Sequence, residues 1–324
     1  MFPNCDDFTY GLETHRVWNA THSFGEVLKT ALAVTKGTWQ LWQGTWFSIF
    51  LMTLTPGVFG EKWYFLTTLL MAGMLGGSIC VLMHTVLCRY ISRAKENRYL
   101  RWKSCTLTVL FLTFSDLSFR RCLRCIGITA RCIMYSWRLF CSLQCLRCFA
   151  WKHRNRNTKK ILWMILSAVL CALLGGANLL TGLQSVILIV LLTAWESGKR
   201  KIVSGFCFRL SAVWLALRLT CLAPGNLIRE DTAESMGAIK AIVMSFYWGT
   251  VYVTEWLTPI VLVGFAMLIP AIYRLAKQAE GKFFKPLYAV FLSFCVFSAM
   301  FTPTLYATSS EGPDRCKNVM RVVL

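Results

Sequence analysis

The stretch from Phe65 to Leu87, FLTTLLMAGMLGGSICVLMHTVL, decides the class of this protein. It contains no Asp, Glu, Lys or Arg, and it exceeds the roughly 20 apolar residues that a helix needs to cross a bilayer. Apolar runs recur along the rest of the chain, at Leu107–Phe114, Ile161–Leu174, Ser185–Trp195, Phe206–Leu222, Pro259–Ile272 and Leu287–Phe301. The sequence therefore predicts an all-α, polytopic transmembrane protein that forms a single integral membrane domain over residues 1–324.

The charge balance agrees with this interpretation. The chain has 324 residues, of which 56% are hydrophobic, and 35 Lys or Arg against 15 Asp or Glu give a formal net charge of +20. Such a charge on a soluble protein would suggest nucleic acid as a partner. Here the basic residues lie between the apolar runs, which indicates a lipid bilayer as the partner and excludes nucleic acid. Many of the 15 cysteines lie inside apolar runs, so they indicate no disulfide framework.

Basic residues also separate the two sides of the predicted membrane. Four loops hold 18 Lys or Arg and three acids, whereas three other segments hold eight Lys or Arg and ten acids. The basic loops are 89–103, 152–160, 196–201 and 274–285, and the other segments are 1–63, 223–236 and 307–324. Because basic loops stay in the cytoplasm, the second set is predicted to face outward. Six polar residues then share the outer side: Asp6, Asp7, Asn178, Asn226, Arg229 and Arg315. A simpler explanation, that polar residues merely occupy loops, stays open.

Some apolar segments are predicted to lie at the outer surface without crossing. Phe47–Val58 is short and is broken by Pro56-Gly57, which predicts a re-entrant or surface helix. Between Leu222, outside, and Arg274, inside, only one crossing fits, so Ile239–Trp256 is predicted to be an interfacial amphipathic helix. The domain thus divides into an outer-face segment (1–63), spans (64–116), an anomalous segment (117–151), further spans (161–306) and an outer-face tail (307–324).

The anomalous segment 117–151 contains six Arg and six Cys, so it is a poor span. Cys122/Cys125 and Cys145/Cys148 form two C-x2-C pairs with 19 residues between them, a spacing found in zinc sites. A zinc module would leave unexplained how the chain crosses from Asp116, outside, to Lys152, inside. A second hypothesis is that the segment is translated out of frame, and a third is an ordinary irregular loop.

Three motifs carry a resemblance to known proteins: Asp6-Asp7-Phe8-Thr9-Tyr10, Ala223-Pro224-Gly225-Asn226 with Arg229, and Gly312-Pro313-Asp314-Arg315 with Asn318. Together with Trp42-Gln43-Gly44, their order resembles a bacterial family of polytopic membrane proteins that is similar to glucosyltransferase-type GT-C glycosyltransferases. The resemblance covers most of the chain except 117–151. Family members usually have a span before the acidic pair and an aromatic-glycine segment near 120–135, so a truncated or frameshifted gene product is expected.

The resemblance implies an enzyme of the bacterial inner membrane that takes a sugar from a polyprenyl-phosphate donor on the outer face. Asp6 or Asp7 would then be the catalytic base for the acceptor hydroxyl, and the neighbouring acid could hold a divalent cation. Arg229 and Arg315 suit the lipid phosphate, because a guanidinium binds phosphate at two points. Asn178 and Asn226 would orient sugar hydroxyls.

Two other functions stay open from the sequence. A transporter or flippase for lipid-linked sugars would need charged residues inside the spans, and the candidates are Arg209, Arg218 and Glu255. An inactive remnant of the family is the other alternative. Substitution of Asp6 and Asp7 separates an enzyme from a transporter, since sugar transfer would be lost only in the enzyme.

Overall fold

A computed structural model describes residues 5–67, 69–70, 73, 157–196, 200–230, 236–278, 286–312, 317 and 320. Within these residues every regular element is helical and no strand is present. The predicted all-α class is therefore confirmed. Most of Phe65–Leu87 lies outside the described residues. The whole segment 117–151, with its two C-x2-C motifs, also lies outside them.

The helices of the described residues are numbered here in chain order. They are α1 (Cys5–Thr21), α2 (Phe24–Leu41), α3 (Trp46–Thr53), α4 (Asn157–Ala177), α5 (Leu179–Glu196), α6 (Arg200–Cys221), α7 (Pro224–Glu230), α8 (Ala238–Trp256), α9 (Pro259–Gln278), α10 (Pro286–Ser298) and α11 (Thr302–Thr308). Two short 3-10 helices, Pro56–Phe59 and Glu61–Trp63, follow α3.

The N-terminal helices fold onto one another through buried polar contacts. The fully buried Thr14 hydroxyl of α1 donates a hydrogen bond to the Thr53 carbonyl at the end of α3, with a distance of 2.8 Å. His15 Nδ1 donates to the Val58 carbonyl at 2.7 Å. α3 ends at Thr53 and a 3-10 helix begins at Pro56, which confirms the predicted break, because proline favours the first position of a new helix.

Helices α4, α5 and α6 form an up–down–up unit. Asn178 is the single residue between α4 and α5. Gly182 of α5 lies against Gly175 of α4, and Val186 of α5 clusters with Cys171 of α4, so these helices run in opposite directions. Cys171 of α4 packs with Val213 and Leu217 of α6. The Thr220 hydroxyl donates to the Gly175 carbonyl at 3.1 Å, so α4 and α6 run in the same direction and end together.

The last helices share a second core. Tyr252 and Trp256 of α8 pack with Phe297, Met300 and Phe301 around the end of α10. Leu180 of α5 and Met320 of the tail belong to the same buried cluster. The start of α5 is therefore in contact with the C-terminal part of the chain.

Many exposed side chains of these helices are apolar, and small residues lie at one contact between α8 and α10. On α8 the buried face includes Ala241, Ser245 and Gly249, while Ile239 is 82% exposed and Val243 is 63% exposed. Ser298 of α10 lies so close to Gly249 that a Cβ at position 249 would collide with it. Helix pairs in membranes show this arrangement, because small residues let the backbones approach while apolar residues face lipid.

Among the described residues, one helical stretch, Leu287–Thr308, is long and apolar enough by length and composition to cross a membrane. It has 22 residues and comprises most of α10, all of α11 and the turn that joins them. Only 28% of its most apolar window is buried, whereas the core helix of a soluble protein would be mostly buried. Shorter apolar helical segments lie at Trp46–Phe59, Ala168–Ala177, Gly182–Leu191 and Leu210–Cys221.

Candidate functional site

Asn226 joins two distant parts of the chain at the end of α6. Its Oδ1 accepts a hydrogen bond from the backbone N–H of Gly44 at 3.0 Å. Its Nδ2 donates to the carbonyls of Thr220 and Cys221, at 2.6 and 3.2 Å, in the last turn of α6. Both sides of the amide are engaged with the backbone, so Asn226 caps α6 and holds the loop between α2 and α3 against it.

Two glycines make this close approach possible. A Cβ at Gly44 would collide with the Thr220 carbonyl, and a Cβ at Gly225 would collide with the Trp42 backbone. Trp39 adds a further contact, because its Nε1 donates to the Leu219 carbonyl at 3.2 Å. The sequence predicts a turn at Ala223–Arg229. Instead, a short helix, α7, begins at Pro224, because a proline at the first helical position loses no hydrogen bond there.

The same corner also reaches helix α1. Gln43 Nε2, next to Gly44, donates to the Tyr10 hydroxyl at 3.4 Å. Asp6 and Asp7 precede Tyr10 on α1 by about one helical turn, so the backbone of the acidic pair begins the helix that meets this corner. The side chains of Asp6 and Asp7 lie outside the described residues.

Asn178 lies at the neighbouring helix end. Its Oδ1 accepts a hydrogen bond from the Leu180 N–H at 3.3 Å, as an N-terminal cap of α5 does. The preceding carbonyl, of Ala177, accepts a hydrogen bond from the buried Ser48 hydroxyl of α3. Since Thr220 bonds to Gly175, Asn178 and Asn226 lie at the same end of the α4–α6 unit. The structure thus brings these two predicted residues to one end and links that end to α1.

A cluster of three ionisable side chains, which no sequence pattern predicts, joins the tail to α8. Glu311 Oε2 accepts a hydrogen bond from the Tyr252 hydroxyl at 2.6 Å. Glu311 Oε1 forms an ion pair with Lys317 Nζ, and that nitrogen lies 5.5 Å from the centre of the Tyr252 ring. The side chains of Lys317 and Glu311 are only 22% and 27% exposed, so water screens the pair weakly.

The electrostatics of this cluster favour its ionised form. Burial by itself would raise the pKa of Glu311, but hydrogen bonds from Lys317 and Tyr252 outweigh it and bring that pKa below its ordinary value of 4.5. Burial would lower the pKa of Lys317, but its hydrogen bonds with Glu311 and Tyr252 outweigh burial and raise that pKa. Glu311 is therefore a carboxylate and Lys317 an ammonium at neutral pH.

Sequence spacing offers little signal for this cluster. Glu311 and Lys317 are six positions apart, which is not the three- or four-residue spacing of a helical ion pair. Tyr252 is 59 positions from Glu311. It lies among other aromatic residues, a pattern that indicates hydrophobic packing. The motif Gly312-Pro313-Asp314-Arg315 lies between Glu311 and Lys317 in the sequence.

Several predicted site residues cannot be placed in this geometry. Arg315 and Cys122, Cys125, Cys145 and Cys148 lie outside the described residues, and Arg229 belongs to α7 while its side chain is not described. Among the described residues, no three His, Cys, Asp or Glu side chains converge as a metal site would require. The divalent cation at Asp6 and Asp7 stays a prediction, since it concerns side chains outside that part of the chain.

The structure describes the side chains of two of the three candidate residues for a transport pathway. Arg218 of α6 and Glu255 of α8 are exposed, and the Arg209 side chain is not described. A transporter would need such charges to face a pathway between the helices.

Comparison with known proteins places no further constraint on the site, since no protein-family model, no curated protein and no solved structure matches this chain.

Proposed function

We propose that this chain is a multi-pass protein of the bacterial inner membrane that transfers a sugar from a polyprenyl-phosphate donor to a cell-envelope acceptor on the outer face. Its architecture in this proposal is GT-C-like, with the N-terminal helices and α8 lying at the outer surface. The proposed active site lies at the end of the α4–α6 unit where α4 and α6 end and α5 begins.

The membrane part of the proposal is supported by the distribution of side chains. Apolar residues such as Phe291 and Val290 of α10, 64% and 68% exposed, point away from the packed faces. Small residues such as Gly249 and Gly175 lie where neighbouring helices approach closely. In water this surface would be a large apolar patch, and monomeric soluble proteins rarely expose one.

One observation supports the position of the site above all others. The Gly44–Asn226 and Gln43–Tyr10 hydrogen bonds tie the helix that carries Asp6 and Asp7 to the end where Asn178 and Asn226 lie. Asn178 and Asn226 therefore share one end of the α4–α6 unit with the contact to the helix that carries Asp6 and Asp7, which supports a common site there. In this arrangement Asn226 is a positioning residue, since its amide is occupied by backbone groups.

The reaction needs a base and an anion-binding group. A carboxylate of Asp6 or Asp7 would accept the proton of the acceptor hydroxyl as its oxygen attacks the anomeric carbon. The bond from that carbon to the phosphate oxygen breaks, and polyprenyl phosphate leaves with the electron pair. Arg229 and Arg315 would stabilise the charge that develops on the leaving phosphate.

The test is sugar transfer in membranes that contain the full chain, with polyprenyl phosphate carrying radiolabelled glucose as the donor. We expect the double variant Asp6→Asn/Asp7→Asn to lose about 100-fold or more of the transfer rate, as expected when a general base is removed. Glu13→Gln is the matched control on the same helix, because Glu13 is exposed and pairs with the exposed Arg16. It should transfer at the wild-type rate.

Two results would contradict the proposal. One is full transfer by the double variant while the control behaves normally. The other is a topology map, from reporters fused near residues 6 and 226, that places these positions in opposite compartments. Absence of radiolabelled glucose transfer would be followed by the same assay with other polyprenyl-linked sugars, and failure with all of them would also overturn it.

A further inference from the structure

An open groove lies between α2 and the end of α6. Its cavity volume is about 280 Å³, near the lower limit of the roughly 300–1,000 Å³ that is usual for ligand sites. It therefore has room for one apolar chain but not for a whole lipid. The described residues that line it come from α2, α3 and α6, and none of them is a predicted site residue: Leu32, Thr35, Lys36, Trp39, Trp46 and Leu219.

The walls of this groove are apolar and firmly held. The Thr35 hydroxyl donates to a carbonyl of its own helix at 2.7 Å, and Trp39 Nε1 donates to the Leu219 carbonyl at 3.2 Å. The Trp46 ring packs so closely on α4 that a Cβ at Gly176 would collide with it, and its Nε1 is buried at that contact. A ligand in the groove would thus meet apolar atoms in a site that is already formed.

Lys36 gives the groove a positive charge. Its side chain is exposed, and it forms no ion pair with any acid in the part of the chain that the structure describes. Lys29 of the same helix, by contrast, pairs with Glu26 at 2.7 Å. The long stem of a lysine covers apolar surface while its ammonium reaches water. An apolar chain that ends in an anion would therefore complement both the walls and Lys36.

The exposed surface of the groove indicates where such a ligand comes from. Leu32 and Leu219 line the groove and are still 56% and 50% exposed. Exposed leucines beside tryptophan and lysine are typical of the boundary between a bilayer and water. Anionic phospholipids supply a negative headgroup and an apolar chain at that boundary, and basic side chains attract them.

We propose that the groove between α2 and α6 binds an anionic phospholipid, with one acyl chain against Trp39, Trp46 and Leu219 and the headgroup phosphate paired with Lys36. This lipid site is separate from the residues of the proposed sugar transfer, and the inference does not depend on that reaction. It assigns Lys36 the role of selecting lipids by headgroup charge.

The first experiment tests the charge. The full chain in detergent micelles is titrated with single-chain lysophospholipids that carry bromine on the acyl chain, and binding is followed by quenching of tryptophan fluorescence. We expect lysophosphatidylglycerol to bind about fivefold more tightly than lysophosphatidylcholine of the same chain, which is the effect of one lysine on an anionic headgroup. Lys36→Gln should abolish this preference and Lys36→Arg should keep it. Lys29→Gln is the matched control on α2 and should also keep it.

The second experiment tests the position of the chain. Leu219→Trp puts a larger side chain into the groove and leaves the Leu219 carbonyl, a backbone group, in place. We expect it to weaken binding of both lysophospholipids about tenfold or more, because acyl methylenes lose their apolar contacts. Leu215→Trp is the matched control, since Leu215 lies on the same helix, is 63% exposed and does not belong to the described lining. Melting curves show whether both variants are folded.

Three results would overturn the inference. One is equal affinity of wild type for the two lysophospholipids, or a preference that Lys36→Gln keeps. Another is wild-type affinity in folded Leu219→Trp. The third is tighter binding of farnesyl phosphate than of lysophosphatidylglycerol, which would assign the groove to an isoprenoid ligand. If Leu219→Trp does not fold, the Lys36 variants decide alone. None of these readouts involves sugar transfer, so the lipid site stands or fails independently of Asp6→Asn/Asp7→Asn.

Discussion

The Oδ1 atom of Asn226 accepts a hydrogen bond from the backbone N–H of Gly44 across 182 positions of sequence. This contact fastens the N-terminal helices to the end of the α4–α6 unit. It also gives Asn226, which is predicted to orient sugar hydroxyls, a structural role. The contribution of this contact to stability can be measured.

Removal of the Asn226 amide should destabilise the protein. Asn226→Ala leaves the Gly44 N–H and two α6 carbonyls without their partner, which we expect to cost about 2–3 kcal/mol. Asn226→Asp should cost at least as much, because a carboxylate oxygen would then face the Thr220 and Cys221 carbonyls. Thermal unfolding in detergent measures both effects. Asn19→Ala, which removes an exposed side chain, should shift the midpoint little, and an equal shift there would contradict the assignment.

The glycine at position 44 should tolerate no side chain. Gly44→Ala forces a methyl group into the Thr220 carbonyl, and we expect it to cost about 1–3 kcal/mol. Gly37→Ala provides the opposite case, since a Cβ at Gly37 meets nothing within 4 Å and lies inside α2. That variant should be neutral or more stable by about 0.5–1 kcal/mol. The measurement is the denaturation midpoint of each variant. Equal midpoints for Gly44→Ala and Gly37→Ala would contradict the close approach of Gly44 to the Thr220 carbonyl.

The contribution of Glu311 to stability should depend on pH. Its pKa in the folded protein is lower than the ordinary 4.5 expected for the unfolded chain. The stabilisation is therefore present above that value and is lost as the pH falls through the lowered folded pKa. We expect wild type to exceed Glu311→Gln by about 1 kcal/mol at neutral pH, and the difference to vanish in acid. Melting curves measured from pH 7 downward test this, and a difference that persists unchanged in acid would argue against the ion pair.

A charge placed inside the stretch Leu287–Thr308 should hinder membrane insertion. Ser293 is exposed and is the seventh of its 22 residues, so Ser293→Lys would face lipid at a cost approaching the roughly 2.5–3.5 kcal/mol of a charge at a helix centre. Tyr306→Lys lies near the end, where the side chain can reach the interface, and should insert almost normally. For both variants, the measurement is the fraction of protein that remains in the membrane after carbonate extraction. If Ser293→Lys stayed in the membrane fraction like wild type, this stretch would not be a lipid-facing span.

The helices themselves were largely predictable from local sequence. Apolar runs without charges place α4 and α10 within four residues of their observed bounds, because hydrophobic length and helix-breaking residues act locally. The break at Pro56 was predicted for the same reason. The runs predicted for α6 and α9 each miss one end by six residues. The helix at Pro224 was taken for a turn, since the sequence Pro-Gly-Asn suits both structures and only its packing against Trp42 distinguishes them.

The amino-acid sequence by itself determined the helical class, the apolar segments and the uneven distribution of basic loops, since each follows from the composition of short stretches. Only the tertiary structure decided that Asn226 pairs with Gly44, and that Tyr252, Glu311 and Lys317 meet. Those contacts depend on how helices pack across long separations in the chain. Asn226 and Gly44 are 182 positions apart, and Tyr252 and Glu311 are 59 positions apart, so no local spacing in the sequence identifies these partners.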